Sequence, residues 1–378
     1  MAGRLDVKAL QKSLDAIVAR HEALRTTFAA ASGIPMQVIC GKRSIEVGII
    51  DLSEWPVPDR ELELTRLLNQ RAVLPFNLGS DLMLRATLIR LADEEHALLL
   101  VMHHIASDGW SIANLCRELA IFYDAFSSGS PSPLPNLDIQ YADFAAWERE
   151  WLRQEILDEK ISYWKRQLAG ISPLVQLPAD RPRPALLSSR GSQQTFTLSK
   201  ELTESLQALG HPQGATLFMT LLAAFNVLLC GYTKQYDLVV GTPIAGRNRT
   251  ELEGLIGFFI NALLLRTDLS GDPTIRELLE RVREITLAAY THEMPITKLV
   301  EALRPERSLS HRSLSQVSFG LQNNPAQAME LSGLTLTPLE VRTEATKTDL
   351  TLVMVEREEQ LTGRLEYSTD LFDASTIE

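Results

Sequence analysis

The residue types best suited to chemistry stand together in one short run, His103-His104-Ile105-Ala106-Ser107-Asp108-Gly109. A histidine can take or give a proton close to neutral pH, so either ring is a candidate general base or a group that holds a nucleophile in place. An aspartate just downstream can orient a ring, hold a buried counter-charge, or simply cap the helix that follows, with the glycine easing the turn. Two histidines and a carboxylate are also metal-ligand types. A metal centre is not expected, because adjacent side chains on a strand diverge and the run lacks a two-histidine helical spacing such as H-E-x-x-H.

The elements around the run decide what it can reach. Leu98 to Met102 is a continuous apolar stretch, which suits a strand covered on both faces. If that strand continues, His103 and His104 point to opposite sides and only one of them faces any given cavity. Beyond Gly109, Ile112, Leu115, Leu119, Phe122 and Phe126 recur at helical spacing, so the run joins a strand to a helix. Upstream, Asp6 caps a predicted helix that ends near Arg20, and short strands are expected within 35–50. A second helix, capped by Asp59, is predicted over 60–71, followed by a hairpin of strands 82–91 and 96–103. A long helix is expected through 144–168, and the Pro-, Arg- and Ser-rich stretch 173–191 is a candidate boundary. The reading is therefore an N-terminal lobe, 1–172, a linker, 173–191, and a C-terminal lobe, 192–378. The latter has an apolar helix at 215–230, a strand at 238–240, helices near 275–290 and 295–303, and strands at 314–321 and 350–356. Asp373 is placed to cap a helix at the very end of the chain, so both ends read as cut from a longer sequence.

Composition narrows the class. Hydrophobic residues at 45% and charged residues at 22% match an ordinary globular protein with apolar material for two cores. A formal charge of -11 argues against nucleic acid as the main partner. Cys40, Cys116 and Cys230 are widely separated in apolar surroundings, which reads as buried thiols in a reducing compartment rather than a zinc site or disulfides. No secretion signal follows Met1, and a cytoplasmic location is expected. The stretch 215–232 is apolar enough to consider a membrane span, but Thr216, Thr220 and Asn226 and the lack of flanking basic anchors favour a buried core helix.

The stretch Met102-His103-His104-Ile105-Ala106-Ser107-Asp108-Gly109-Trp110-Ser111 is similar to the signature of condensation domains of nonribosomal peptide synthetases, and other family motifs follow in order. Arg20-His21-Glu22-Ala23-Leu24-Arg25-Thr26-Thr27-Phe28 resembles the preceding motif, and Tyr141-Ala142-Asp143-Phe144-Ala145-Ala146-Trp147 the following one. Gly241-Thr242-Pro243-Ile244-Ala245-Gly246-Arg247 and Ile256-Gly257-Phe258-Phe259-Ile260-Asn261 resemble a loop and strand facing the family's channel. His292-Glu293-Met294-Pro295 and Ser315-Gln316-Val317-Ser318-Phe319 complete the series. The family's first motif is missing, and Ile260 and Ala262 stand where Val and Thr are common.

The resemblance implies an α/β two-layer sandwich fold: two chloramphenicol acetyltransferase-like lobes in a V with a central channel. It implies an amide-forming acyltransferase that joins a donor acyl or peptidyl thioester to an acceptor amine. Both substrates would arrive on 4'-phosphopantetheine arms of donor and acceptor peptidyl carrier proteins, beside a neighbouring adenylation domain, with no permanently bound cofactor, nucleic acid or membrane. By motif position, His104 faces the channel as general base or amine-positioning group, and His103 is its buried structural partner. Asp108 is expected to pair with Arg247 across the lobe boundary. Gly109 either presents its backbone N–H near the reacting centre or serves as a turn glycine. Trp110, Asn261 and Ser315 are channel-lining candidates. Arg25, His21 and Glu22 are expected to hold a helix end, Tyr141, Phe144 and Trp147 to pack, and His292 and Glu293 to stabilise a helix start. Rival readings are an epimerisation domain, an acyl-CoA-dependent acyltransferase, and a non-catalytic module that docks carrier proteins.

Overall fold

The structure, a computed structural model, describes every residue except 173, 305–313, 323–330, 340–344 and 358–359, and the side chain of Arg357. In chain order the first elements are α1 (Val7–Arg20), β1 (Thr26–Ala31), β2 (Ile34–Ile39), β3 (Val47–Asp51), α2 (Val57–Ala72), β4 (Leu84–Ala92), β5 (Glu95–Met102), α3 (Gly109–Ser127), α4 (Tyr141–Trp151) and α5 (Gln154–Gln167). There follow β6 (Gly191–Leu198), α6 (Lys200–Gly210), α7 (Leu217–Thr233), β7 (Asp237–Ile244), α8 (Thr250–Glu253), β8 (Asn261–Asp268), α9 (Ile275–Thr291), α10 (Ile296–Leu303), β9 (Val317–Gln322), β10 (Leu350–Arg357), β11 (Gln360–Ser368) and α11 (Ala374–Ile377).

These elements form two compact units. The first comprises Met1–Trp151, Ala245–Phe259 and Ala326–Thr343, and the second Leu152–Ile244, Ile260–Pro325 and Glu344–Glu378. Compactness follows packing rather than sequence order. The sequence reading put the divide at 173–191, whereas the described part of that stretch lies inside the second unit, and the segment after β7 belongs to the first.

In the first unit a three-stranded sheet runs β3-β4-β5, with β3 parallel and β5 antiparallel to β4. Alternation along β4 and β5 sends side chains to two cores. Leu84, Ala86 and Leu88 pack with Leu10, Leu14 and Ile17 of α1 and Leu115, Leu119 and Phe122 of α3. Ile89, Leu91, Ala97 and Leu99 pack with Leu67 and Leu68 of α2. Both faces are covered, as the apolar run leading to His103 requires. Asp6 caps α1 by accepting from the N–H groups of Lys8 and Ala9, each at 2.9 Å.

In the second unit a six-stranded sheet runs β6-β11-β10-β9-β7-β8, parallel at β10–β9 and β9–β7 and antiparallel elsewhere. Helix α7 buries Leu222, Phe225 and Leu229, and α9 buries Leu278, Leu279 and Val282, against Val240, Leu265, Val317 and Phe319. Among the described residues no single helix is long and apolar enough to cross a membrane; α6 and α7 reach that length only together, and they bend by 102°.

Several expectations need correction. The helix over 144–168 is two helices, α4 and α5, interrupted at Leu152–Arg153. Each packs in a different unit: Phe144 joins a cluster with Leu252, Leu255 and Phe259, whereas Trp164 lies in the core of the second unit. Helix α2 starts at Val57 with Pro56 as its N-cap, and Asp59 falls within its first turn, because Pro58 fits the first helical positions, where no N–H is needed. Strands β1, β6 and β11 are additional to the expected set, and the strand expected within 256–261 begins only at Asn261, as β8. The three cysteines are free, as expected, but only partly buried.

Candidate functional site

Strand β5 stops at Met102, so the two histidine rings are placed by a turn rather than by strand alternation. The His103 N–H donates to Met83 O at 3.0 Å, and the chain then folds back so that the Ala106 N–H and the Ser107 hydroxyl donate to His103 O at 3.0 and 3.1 Å. The His103 Nδ1 accepts the Ile105 N–H at 3.0 Å, which in the neutral ring puts its proton on Nε2. Its ring meets Phe76 edge-on at 5.5 Å. Burial, then the neighbouring His104 charge, push the His103 pKa below its ordinary 6.5. His103 is half-buried rather than fully buried.

His104 is exposed, and its Nδ1 lies 2.6 Å from Ser107 O. A carbonyl oxygen can only accept, so Nδ1 carries the proton and the neutral ring keeps a lone pair on Nε2. Phe258 meets this ring edge-on at 5.0 Å. The loop therefore holds one histidine by its Nδ1 and leaves the other nitrogen available for chemistry.

Asp108 begins α3 as its N-cap and is 4% exposed. Its carboxylate accepts from the Ser111 N–H and hydroxyl, both at 2.8 Å, from the Phe259 N–H at 3.0 Å, and from Arg247 at 3.2 Å. The Arg247 side chain is 1% exposed, donates to Leu255 O at 3.0 Å and to Leu252 O, and lies over the Phe259 ring at 4.1 Å. The expected Asp108–Arg247 pair is present, but both partners belong to the first unit instead of facing each other across the lobes. Arg247 lies in the segment 245–259, which leaves the second unit's sheet and packs with α3.

That segment contains only the single turn α8, so its backbone groups must find side-chain partners. Trp110 and Asn114 donate to Glu253 O at 2.9 and 2.7 Å, and Asn114 also donates to Leu255 O at 3.0 Å. The Ile256 N–H reaches His21 Nδ1 at 3.2 Å, the Gly257 N–H reaches Ser111 Oγ at 3.1 Å, and Tyr141 donates to Phe258 O at 2.9 Å. Burial, then the negative charges of Glu148 and Asp108, push the Tyr141 pKa up to about 12, so it remains a donor. Two glycines are required here. Gly246 has φ +64°, and a Cβ at Gly257 would sit 2.4 Å from the Tyr141 ring.

Gly109 is the first residue of α3; it is exposed, has no positive φ, and a Cβ there would meet nothing within 4 Å. The turn-glycine reading therefore has no steric basis. Trp110 is committed to Glu253 O. Asn261 and Ser315 lie in the second unit. Asn261 donates to Met294 O at 2.9 Å and accepts the Ile296 N–H at 3.1 Å, which caps α10. Ser315 Oγ accepts the Gly241 N–H at 3.0 Å. His292 ends α9 rather than starting a helix, and its ring stacks on Tyr163 at 3.8 Å. Arg25 and Glu22 pair at 3.1 Å beside the end of α1.

His21 does more than hold that helix end. It is 1% exposed, its Nε2 donates to Glu118 at 2.8 Å, and Arg20 donates to the same carboxylate at 3.0 Å. Burial raises the Glu118 pKa, but the hydrogen bonds from His21 and Arg20, with the Arg20 charge, outweigh it and leave the carboxyl below its ordinary value. Sequence reasoning missed Glu118 and Asn114, and it quoted Ser111 and Phe258 within motifs without giving either a role of its own. A cavity of about 130 Å³ beside the histidine turn is lined by Thr26, Phe28, Ile105, Ala106, Tyr141 and Phe258 among others. Among the described residues no three His, Cys, Asp or Glu side chains converge as a metal site.

Comparison with known proteins bears on this geometry. The family profile described as Condensation domain matches residues 1–378. The chain belongs to the condensation-domain family. Its relatives include a linear gramicidin synthase of Brevibacillus parabrevis, 50% identical over 378 residues covering 99% of this chain and 7% of that protein. The malpinin synthetase of Mortierella alpina is 43% identical over 379 residues, covering 100% of this chain and 5% of that protein. This condensation domain thus spans a small fraction of the curated relatives it matches. Among solved structures, the X-domain from teicoplanin biosynthesis, in complex with OxyB, has a TM-score of 0.90 at 33% identity, covering 100% of this chain and 83% of that one. The fold is the two-lobed, mixed α/β, chloramphenicol acetyltransferase-like fold of condensation domains.

Proposed function

We propose that this condensation domain forms an amide bond between a donor acyl or peptidyl thioester and an acceptor amine, both presented on phosphopantetheine arms of carrier proteins within a synthetase that also holds an adenylation domain. The observation that carries the reading is the exposed His104 ring, whose Nε2 is left with a lone pair because Nδ1–H is held by Ser107 O. The acceptor amine places its N–H against this nitrogen, and its lone pair attacks the thioester carbon. As the C–N bond forms, His104 takes the amine proton. The C–S bond then breaks, and the proton passes to the departing thiolate. The Gly109 N–H, at the start of α3, is available to the oxyanion, and the helix N-terminus favours negative charge there. His103 and the Asp108–Arg247 pair shape the turn and stay clear of the reacting atoms. The channel-lining roles of Trp110, Asn261 and Ser315 are part of the same proposal.

The test is condensation between matched donor and acceptor aminoacyl carrier proteins followed by mass spectrometry, with the unaltered chain and His104→Ala. Loss of general-base help lowers turnover by about 10²- to 10⁴-fold. A second reading, a docking module without chemistry, is favoured by the likeness to an X-domain solved in complex with OxyB. Carrier binding without product from any matched pair, unchanged in His104→Ala, would establish that reading instead.

A further inference from the structure

The segment Ile256–Phe259 hangs from three side-chain acceptors of the first unit. Successive N–H groups go to His21 Nδ1, Ser111 Oγ and Asp108 Oδ2, skipping only Phe258. Ser111 and Asp108 sit at the start of α3, directly after the turn that carries the histidines. His21 is the outlying support: it comes from the end of α1, 235 residues away in sequence from Ile256. Its ring has no freedom to reorient, because Nε2–H is committed to Glu118, which Arg20 also holds. On this segment the Phe258 ring packs edge-on against the exposed His104.

We propose that His21 is a positioning residue for His104, acting through the Ile256–Phe259 backbone to fix the Phe258 ring against the imidazole. The inference rests on the reading of His104 as the reacting histidine, but its geometry stands without it. Glu118 and Arg20 fix the His21 ring, His21 Nδ1 fixes the Ile256 amide, and the peptide that follows fixes where Phe258 meets His104. Removing the acceptor frees a buried N–H and lets the segment shift, and a displacement of about 1 Å at a reacting group costs up to about 10²-fold in rate.

Two isosteres separate this role from a merely structural one. Asparagine places its side-chain oxygen where Nδ1 stands, keeping the acceptor for Ile256 and losing the bond to Glu118. Glutamine places its amide where Nε2 stands, keeping the bond to Glu118 and losing the acceptor. His21→Asn, His21→Gln, Phe258→Ala and the double variant His21→Gln/Phe258→Ala are compared by turnover, by KM, and by the ring ¹H–¹³C resonances of His104 in histidine-labelled protein. The expected result is that His21→Gln shifts the His104 resonances and lowers kcat about tenfold to a hundredfold with KM little changed, while His21→Asn stays near the parent. In the Phe258→Ala background, His21→Gln has no further effect. Unmoved His104 resonances in folded His21→Gln overturn the proposal, and so does a larger effect from His21→Asn than from His21→Gln. The resonances need no turnover, so shifted resonances with unchanged condensation would support the positioning role and count against His104 as the reacting group.

Discussion

His103 and His104 use the same ring atom for opposite purposes. Nδ1 of His103 accepts the Ile105 N–H, whereas Nδ1–H of His104 donates to Ser107 O. Neutral rings side by side therefore adopt opposite tautomers, and the basic nitrogen is Nε2 in the exposed His104 but the already engaged Nδ1 in His103. This follows from the turn at 103–107, since strand pairing has already ended at Met102.

The Asp108–Arg247 pair is buried and joins α3 to the segment 245–259. Removing one charge leaves the other uncompensated away from water, so Asp108→Ala is expected to cost about 3–5 kcal/mol. Urea unfolding reads this directly. The double variant Asp108→Ala/Arg247→Ala should lose clearly less than the sum of the two single variants.

The histidines give the stability a pH dependence on the acid side. His103 is held below 6.5 by burial and by His104, and His96 is likewise lowered by burial, then by Arg90. A folded-state pKa below the unfolded value means that the unfolded chain binds protons first. Their stabilising contribution is present above about pH 6.5 and is lost as pH falls through that value towards the lower folded-state pKa values. The urea midpoint should drop as the pH is lowered from about 7 through about 6.5, and His96→Gln or His103→Gln should each flatten part of that drop. Glu118, lowered rather than raised, loses its contribution only in more acid solution.

Gly109 offers a clean separation of fold from function. A methyl group meets nothing at this exposed helical position, so Gly109→Ala should fold normally and be unchanged or stabilised by up to about 1 kcal/mol. If the backbone N–H there serves the oxyanion, the methyl crowds its approach and condensation falls while the melting temperature does not. Equal activity in the two proteins would remove Gly109 from the mechanism.

Asn261 ties β8 to the start of α10 through the Ile296 N–H and Met294 O. Asn261→Ala should cost about 1–2 kcal/mol, the loss of a helix cap. Hydrogen exchange should speed up at Ile296 and along α10, with the first unit unaffected.

Much of the local structure was legible in the chain. Helical spacing located α1, α3, α7 and α9, an apolar run located β5, and an ordered series of motifs identified the family. Those signals are short-range, so one stretch of residues carries them whole. The motif around His103 and His104 singled out the turn proposed to react for the same reason, but not how it is held. Which histidine nitrogen stays free depends on the Ser107 carbonyl and on where the strand stops. The break at Leu152–Arg153 lacks Gly or Pro, and it exists because α4 and α5 pack into different units. The unit to which Arg247 belongs, and the link from His21 through Ile256 to Phe258, depend on residues more than a hundred positions apart. Periodicity and spacing hold no record of such contacts, because packing and the need to pair buried polar groups arise only once the chain has folded.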